Sequence, residues 1–529
     1  MTAIMSGGPR GRDCMANCWR ERVARLAAVL IVGVAPIATA PGDARASEPD
    51  PPALLGQPAV GGAAVRFAFK GAEFCVRCHR SEQSEWCDTA TTAAWRHDAH
   101  ALSHLALRSS NPRTMAIENA LGITAVRTAG CVACHTHPAD EPAPEEEIPE
   151  EENRFFHAGI SCETCHGAGA GYVEPHLHPA WRFLPPEEKA RHGMIDLRHP
   201  ALKAENCLAC HMGDPASGRV VPHAAYAAGH PPLGAFDIEA ASRALGPHWK
   251  RVWEKSERIR DRAAAADYRV EAASTPHRSL VGALVALRES ALLVQDAAAA
   301  AATAPSADLS TAWPELSLYD CQACHHDLAV PSRRQQAGYG GLVPGRPGLV
   351  GWPRRAAEVA LATAEMPIAA DALLAPWTAA LAARPFGRPD EVRAPPGSAA
   401  TLARIDAAIA ALVAVPRDGS LPGRQRVLAA ALAAAGPRCS DLDGARAVGW
   451  ILADAVDSAA GWSDAERLAV RTRLEAALGL RIPGPGGIAA GATPFWRTSL
   501  DAARAYDPAV AAEAFRLPTA PAPERLPPR

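Results

Sequence analysis

The pentapeptide Cys-x-x-Cys-His occurs five times in this chain, beginning at Cys75, Cys131, Cys162, Cys207 and Cys321. Two thiols separated by two residues can reach the two vinyl groups on one edge of a porphyrin, and the histidine that follows is held beneath the metal as its proximal ligand. Paired cysteines also build zinc ribbons and disulfides. Histidine makes up 19 of 529 residues, so chance would place one after a given pair roughly one time in thirty, and after all five about one time in ten million. Zinc ribbons also use their pairs two at a time, and five is odd. The spacing predicts five covalent haem c groups, attached through Cys75 and Cys78, Cys131 and Cys134, Cys162 and Cys165, Cys207 and Cys210, and Cys321 and Cys324. His79, His135, His166, His211 and His325 would lie beneath the irons.

Haem c is joined to thiols on the far side of the inner membrane, and the N-terminus carries the pattern of an export signal. Arg10, Arg12, Arg20, Arg22 and Arg25 precede an apolar run over residues 26–40, and Ala44, Arg45 and Ala46 supply a small-x-small cleavage site before Ser47. The run spans about fifteen residues, short of the roughly twenty that cross a bilayer. Residues 1–46 are therefore read as a signal peptide, and the mature chain as a periplasmic protein without a transmembrane segment. Cleavage removes six arginines and three acids, which takes the formal charge from -3 to -6. That balance argues against nucleic acid, which needs a basic face. Periplasmic or membrane-associated redox proteins are the expected partners.

All five motifs and every histidine lie between Cys75 and His326, while the chain after about residue 344 is alanine-rich with a single cysteine, Cys439. The expected division is a pentahaem cytochrome c domain over 47–344 and an Ala-rich helical domain without cofactors over 345–529. Aromatic residues are 5% of the chain, thin for a loop-rich core of this size. Five macrocycles would supply the missing apolar planes, so the N-terminal half is not expected to fold without them.

The fold class is all-α, with short helices and Pro- and Gly-rich connections around stacked haems and a helical region behind them. Helices are predicted over 235–254 and 276–302, the second with an apolar stripe at Leu280, Leu284, Leu287 and Leu292. In the tail, helical composition marks 354–366, 398–415, 423–435, 444–460, 463–478 and 494–505, separated by Pro and Gly. Residues 140–153 read as a solvated acidic loop.

The second axial ligand decides what each iron can do, because two protein ligands favour electron transfer and an open position admits substrate. Fourteen histidines remain beyond the five in the motifs, more than the five that bis-histidine ligation needs. Methionine is scarce, with Met115, Met194, Met212 and Met366 left after the leader, and Met212 directly follows a proximal ligand. His97, His100 and His104 share one helical face, and one of them is expected to bind. His230 stands between Gly229 and Pro231, where a helix stops and the backbone is stiff, and His223 lies one short helix earlier. His326 adjoins a proximal ligand, points away from that iron and could reach only a neighbouring haem. His137 and His157 are weaker candidates, better suited to hydrogen bonding around a haem.

The segments Trp95-Arg96-His97-Asp98-Ala99-His100-Ala101, Cys162-Glu163-Thr164-Cys165-His166-Gly167 and His223-Ala224-Ala225-Tyr226-Ala227-Ala228-Gly229-His230-Pro231 resemble multihaem cytochromes of the cytochrome c-554 family. Trp313-Pro314-Glu315, Tyr319-Asp320 and His325-His326-Asp327-Leu328 extend the similarity, which spans about residues 73 to 330. The resemblance implies closely stacked, mostly six-coordinate haems passing electrons within the periplasm. It points to His100 among the three clustered histidines, and to His176, with His178 as its substitute.

Cys87 and Cys439 are left over, either as buried thiols or as a bridge between the two halves. Two functional classes follow. One is an electron carrier whose irons are held by histidine on both faces. The other is an oxidoreductase with one open haem acting on a small nitrogen or sulfur compound. The residues present no separate catalytic constellation, which favours the carrier.

Overall fold

A computed structural model describes residues 67–79, 95–136, 158–245, 249–268, 270, 275–303, 313–337, 339, 343–384, 386–414, 427, 431, 441–458, 462–480, 482 and 506–516. The leader, the acidic loop, His137, His157, Cys87 and Cys439 lie outside these residues. Among the described residues every regular element is helical, and strand pairing is limited to the isolated bridges Asp214–Arg219 and Tyr319–Leu349.

Four of the five motifs end short helices. These are α1 (Ala72–His79), α3 (Ala129–His135), α4 (Cys162–His166) and α5 (Pro200–His211), with α2 (Pro112–Leu121) between the first two. Pro200 opens α5 at a position where its missing N–H costs nothing, and the His199 ring accepts from Leu202 N. The fifth motif begins a single 3-10 turn, Cys321–Ala323, capped by Asp320, whose side chain accepts from Gln322 N at 3.0 Å. Between the fourth and fifth motifs lie α6 (His223–Ala227), α7 (Ile238–Ala244) and the 29-residue α8 (Thr275–Thr303).

The helix predicted over 235–254 is much shorter in the structure. Asp237 starts α7 by accepting from Glu239 N at 3.0 Å and Ala240 N at 2.8 Å. The helix ends at Ala244, and the described residues 249–254 hold a 3-10 turn, Val252–Glu254. The prediction over 276–302 agrees closely with α8. Leu280, Leu284 and Leu287 of its stripe are fully buried, and most residues from Pro276 to Ala291 are shielded on all sides, so α8 is a central strut.

Around α8 pack α5, α7, α9 (Trp352–Thr363), α11 (Pro389–Val392), α12 (Ser398–Val413) and α13 (Leu442–Ser458). Next to these, α10 (Ala370–Ala383) lies on α12, α14 (Asp464–Leu478) on α13, and α15 (Pro508–Ala514) on α14. Gly282 lets α8 approach α7, since a Cβ there would stand 2.7 Å from Ile238 Cγ2. One apolar core runs from Ala201 and Leu208 of the fourth motif's helix through α8 to Phe515. No described helix is long and apolar enough to cross a membrane.

Candidate haem-binding sites

Four motif histidines each meet one histidine from elsewhere in the chain, ring to ring. His79 faces His176 with ring centres 6.4 Å apart and planes 20° from parallel. His135 faces His230 at 6.4 Å and 80°, His211 faces His100 at 6.1 Å and 79°, and His325 faces His223 at 6.1 Å and 24°. With a metal–imidazole bond of about 2.0 Å on each side and a ring centre roughly 1.1 Å behind each coordinating nitrogen, two rings sharing one metal stand about 6.2 Å apart. The four spacings fit an iron held between two imidazoles.

Hydrogen bonding sets the tautomer of several of these rings. Nδ1 of His176 lies 2.7 Å from the Val173 carbonyl, that of His230 2.8 Å from the Pro231 carbonyl, and that of His135 3.2 Å from the Ser103 carbonyl. A carbonyl only accepts, so Nδ1 carries the proton and Nε2 keeps its lone pair for a metal. His100 places Nδ1 2.6 Å from Asp98 Oδ1, which also accepts from the His100 backbone N–H at 2.8 Å. Burial pushes the Asp98 carboxyl up, but the hydrogen bond and charge of His100 outweigh it and hold it below the usual carboxylate range. Burial, aided by His100, lowers His211 to about 3 and leaves it a neutral imidazole. Phe236 stacks on that ring at 4.4 Å and 22°.

The thiols show how the motifs adjoin. Cys75 is hydrogen-bonded to Cys162, and Cys134 to Cys210; the sharing pushes the first thiol of each pair up and holds the second low. Burial pushes Cys165 up to about 12, with Cys207 and Cys210 adding to the effect. The first motif therefore touches the third, the third lies against the fourth, and the fourth touches the second. All ten motif cysteines are unbridged thiols, and the S–H form is the one that adds across a vinyl double bond.

Two buried glutamates, whose local roles the sequence did not reveal, lock this arrangement. Glu163 lies between the cysteines of the third motif and is 1% exposed. It accepts from Lys70 N at 2.8 Å, Gly71 N at 2.6 Å and Gly169 N at 2.6 Å, which pins the start of α1 to α4. Oε1 of Glu315 accepts from His223 N and from Ser317 N, both at 2.8 Å, joining α6 to the turn before the fifth motif. Both glutamates stand in the segments quoted above, but three of the backbone groups they satisfy, Lys70 N, Gly71 N and His223 N, are 92 or 93 residues distant in sequence.

The remaining histidines are distributed as follows. His97 is exposed, whereas His104 is buried in the 3-10 turn Ser103–Leu107. His178 is exposed and accepts from Ala180 N. His166 closes α4 and is half-buried. His326 is exposed, with Nδ1 2.7 Å from the Asp327 carbonyl. The fifth motif is the most open one, since Cys321, Cys324 and His325 are all exposed while the corresponding residues of the other four are half-buried.

Residues 74–167, which hold the first three motifs, match the family described as Cytochrome c554 and c-prime. No curated protein and no solved structure matches the chain. Over those residues the chain is similar to that family of c-type cytochromes, a match that supports covalently bound haem c.

Proposed function

We propose that this protein is a periplasmic electron carrier with five covalent haem c groups, bound through the ten motif cysteines and mostly ligated by two histidines. The observation that carries the reading is the set of four facing imidazole pairs, His79 with His176, His135 with His230, His211 with His100 and His325 with His223, at 6.1–6.4 Å. His166 is the proximal ligand proposed for the remaining iron, and His326 stays a ligand candidate by its place beside the fifth motif. Bound haem iron supplies the one-electron couple.

The chain's own residues define the sites. Carbonyls and Asp98 hold Nδ1 protons and orient Nε2, and Glu163 and Glu315 hold the peptide segments that carry ligands. An iron with an imidazole on both faces has no open position for substrate, which favours electron transfer over catalysis. The export pattern over residues 1–46 supports the periplasmic assignment, and redox proteins of that compartment are the proposed partners.

Electron paramagnetic resonance of the fully loaded ferric protein tests this reading. Low-spin signals indifferent to cyanide and nitrite are expected. A high-spin fraction that binds either ion would instead favour the oxidoreductase. Intact mass checks the count, and fewer than five haem adducts would reject five attached groups.

A further inference from the structure

Two of the facing pairs draw their non-motif histidine from the same short stretch of chain. His223 is the first residue of α6, and His230 follows seven residues later, its N–H bonded to the Ala225 carbonyl at 2.9 Å across the turn made by Gly229. Seven residues of helix rise only about 10 Å, and this stretch is no longer than that because its end folds back. The first imidazole faces the fifth motif and the second faces the second motif. Tyr226 lies between them in sequence, with its ring 5.9 Å from that of His230.

We infer that α6 is a bridge between two haems, that the haem of the fifth motif joins the others through the haem of the second, and that the fifth is the solvent-facing end of the series. This rests on the ligation proposed above. It sets the second motif, rather than the first, beside the fifth. With haem bound, His135 and His230 would hold one iron and His223 and His325 the next, so that an electron crossing the bridge outward would oxidise the first from ferrous to ferric and reduce the second from ferric to ferrous. No proton or further reactant is needed. The exposure of the fifth motif puts the exchange of electrons with a partner at that end.

The test uses haem-loaded His223→Ala, His230→Ala and the double variant. Each single variant should convert one haem to high spin with haem mass unchanged, and added imidazole should restore the low-spin signal, which confirms that the fold survives. In the double variant the two high-spin irons should couple magnetically, so that its spectrum is broadened and departs from the sum of the singles. If neither single variant yields a high-spin haem, the ligation fails and the bridge with it. If both do so but the double spectrum is a plain sum, ligation stands and the bridge is overturned. A second measurement keeps all other ligands in place: in the His230→Ala background, removing the fifth haem by Cys321→Ala with Cys324→Ala should sharpen the high-spin signal. Removing the first haem by Cys75→Ala with Cys78→Ala should leave it unchanged. The opposite pattern would overturn the order.

Discussion

Glu163 shows how one side chain joins haem attachment to folding. Its carboxylate sits inside a Cys-x-x-Cys segment, yet its acceptor capacity is used on the backbone of Lys70, Gly71 and Gly169. Buried N–H groups left without a partner each cost about 1–3 kcal/mol. Glu163→Ala is expected to destabilise the haem-loaded protein by roughly 3 kcal/mol, and Glu163→Gln, which keeps one acceptor oxygen, by about half of that. Denaturant unfolding followed by far-ultraviolet circular dichroism would measure both, and a Glu163→Ala midpoint equal to wild type would remove the clamp role. The motif residues are recognisable from spacing because covalent attachment dictates local sequence. The clamp is not, since its partners lie elsewhere in the chain.

Among the helices, ion pairs fasten the haem-bearing part to the tail. Arg288 on α8 reaches Glu205 on α5 at 2.5 Å and Asp406 on α12 at 3.0 Å, and Arg243 on α7 reaches Asp454 on α13 at 2.6 Å. Arg288 is 6% exposed. Removing one member of such a buried pair strands its partner, at a cost of about 3–5 kcal/mol. Arg288→Met is expected to fall in that range, and Arg288→Met with Glu205→Gln to cost less than the sum of the two singles, a coupling that a double-mutant cycle reads directly. Additive losses would show that the pair is not coupled. Other helix ends follow local rules visible in the chain: Ser463 and Glu466 form a capping box that opens α14, and Gly479 at φ 55° ends it. The buried Arg446 then donates to the carbonyls of Leu478 and Gly479, a cap supplied by another helix that no local pattern announces.

At the scale of the whole molecule, the apolar core belongs mainly to α8 and the helices around it, while the segment from residue 67 to 199 contributes few buried apolar side chains. Chain produced without haem attachment is expected to keep a cooperatively unfolding helical core from α8 to the tail, and to be readily cut by protease within 67–199. Limited proteolysis with fragment mass analysis would show this, and equal protection of both parts would contradict it. The helical class and the positions of α8, α12, α13 and α14 were legible in the chain. Their signals are local: spacing, periodicity and caps. The 14-residue α10 with its internal Pro376 and the truncation of the predicted 235–254 helix were not, because packing tolerates one break and a cap enforces another. By itself the sequence pointed to the chemistry, since thiols two residues apart with an adjacent imidazole are the local pattern that haem c attachment requires. Only tertiary structure decided which imidazole faces which, because those partners are brought together across as many as 111 residues (His100 to His211) by contacts distributed over the whole core.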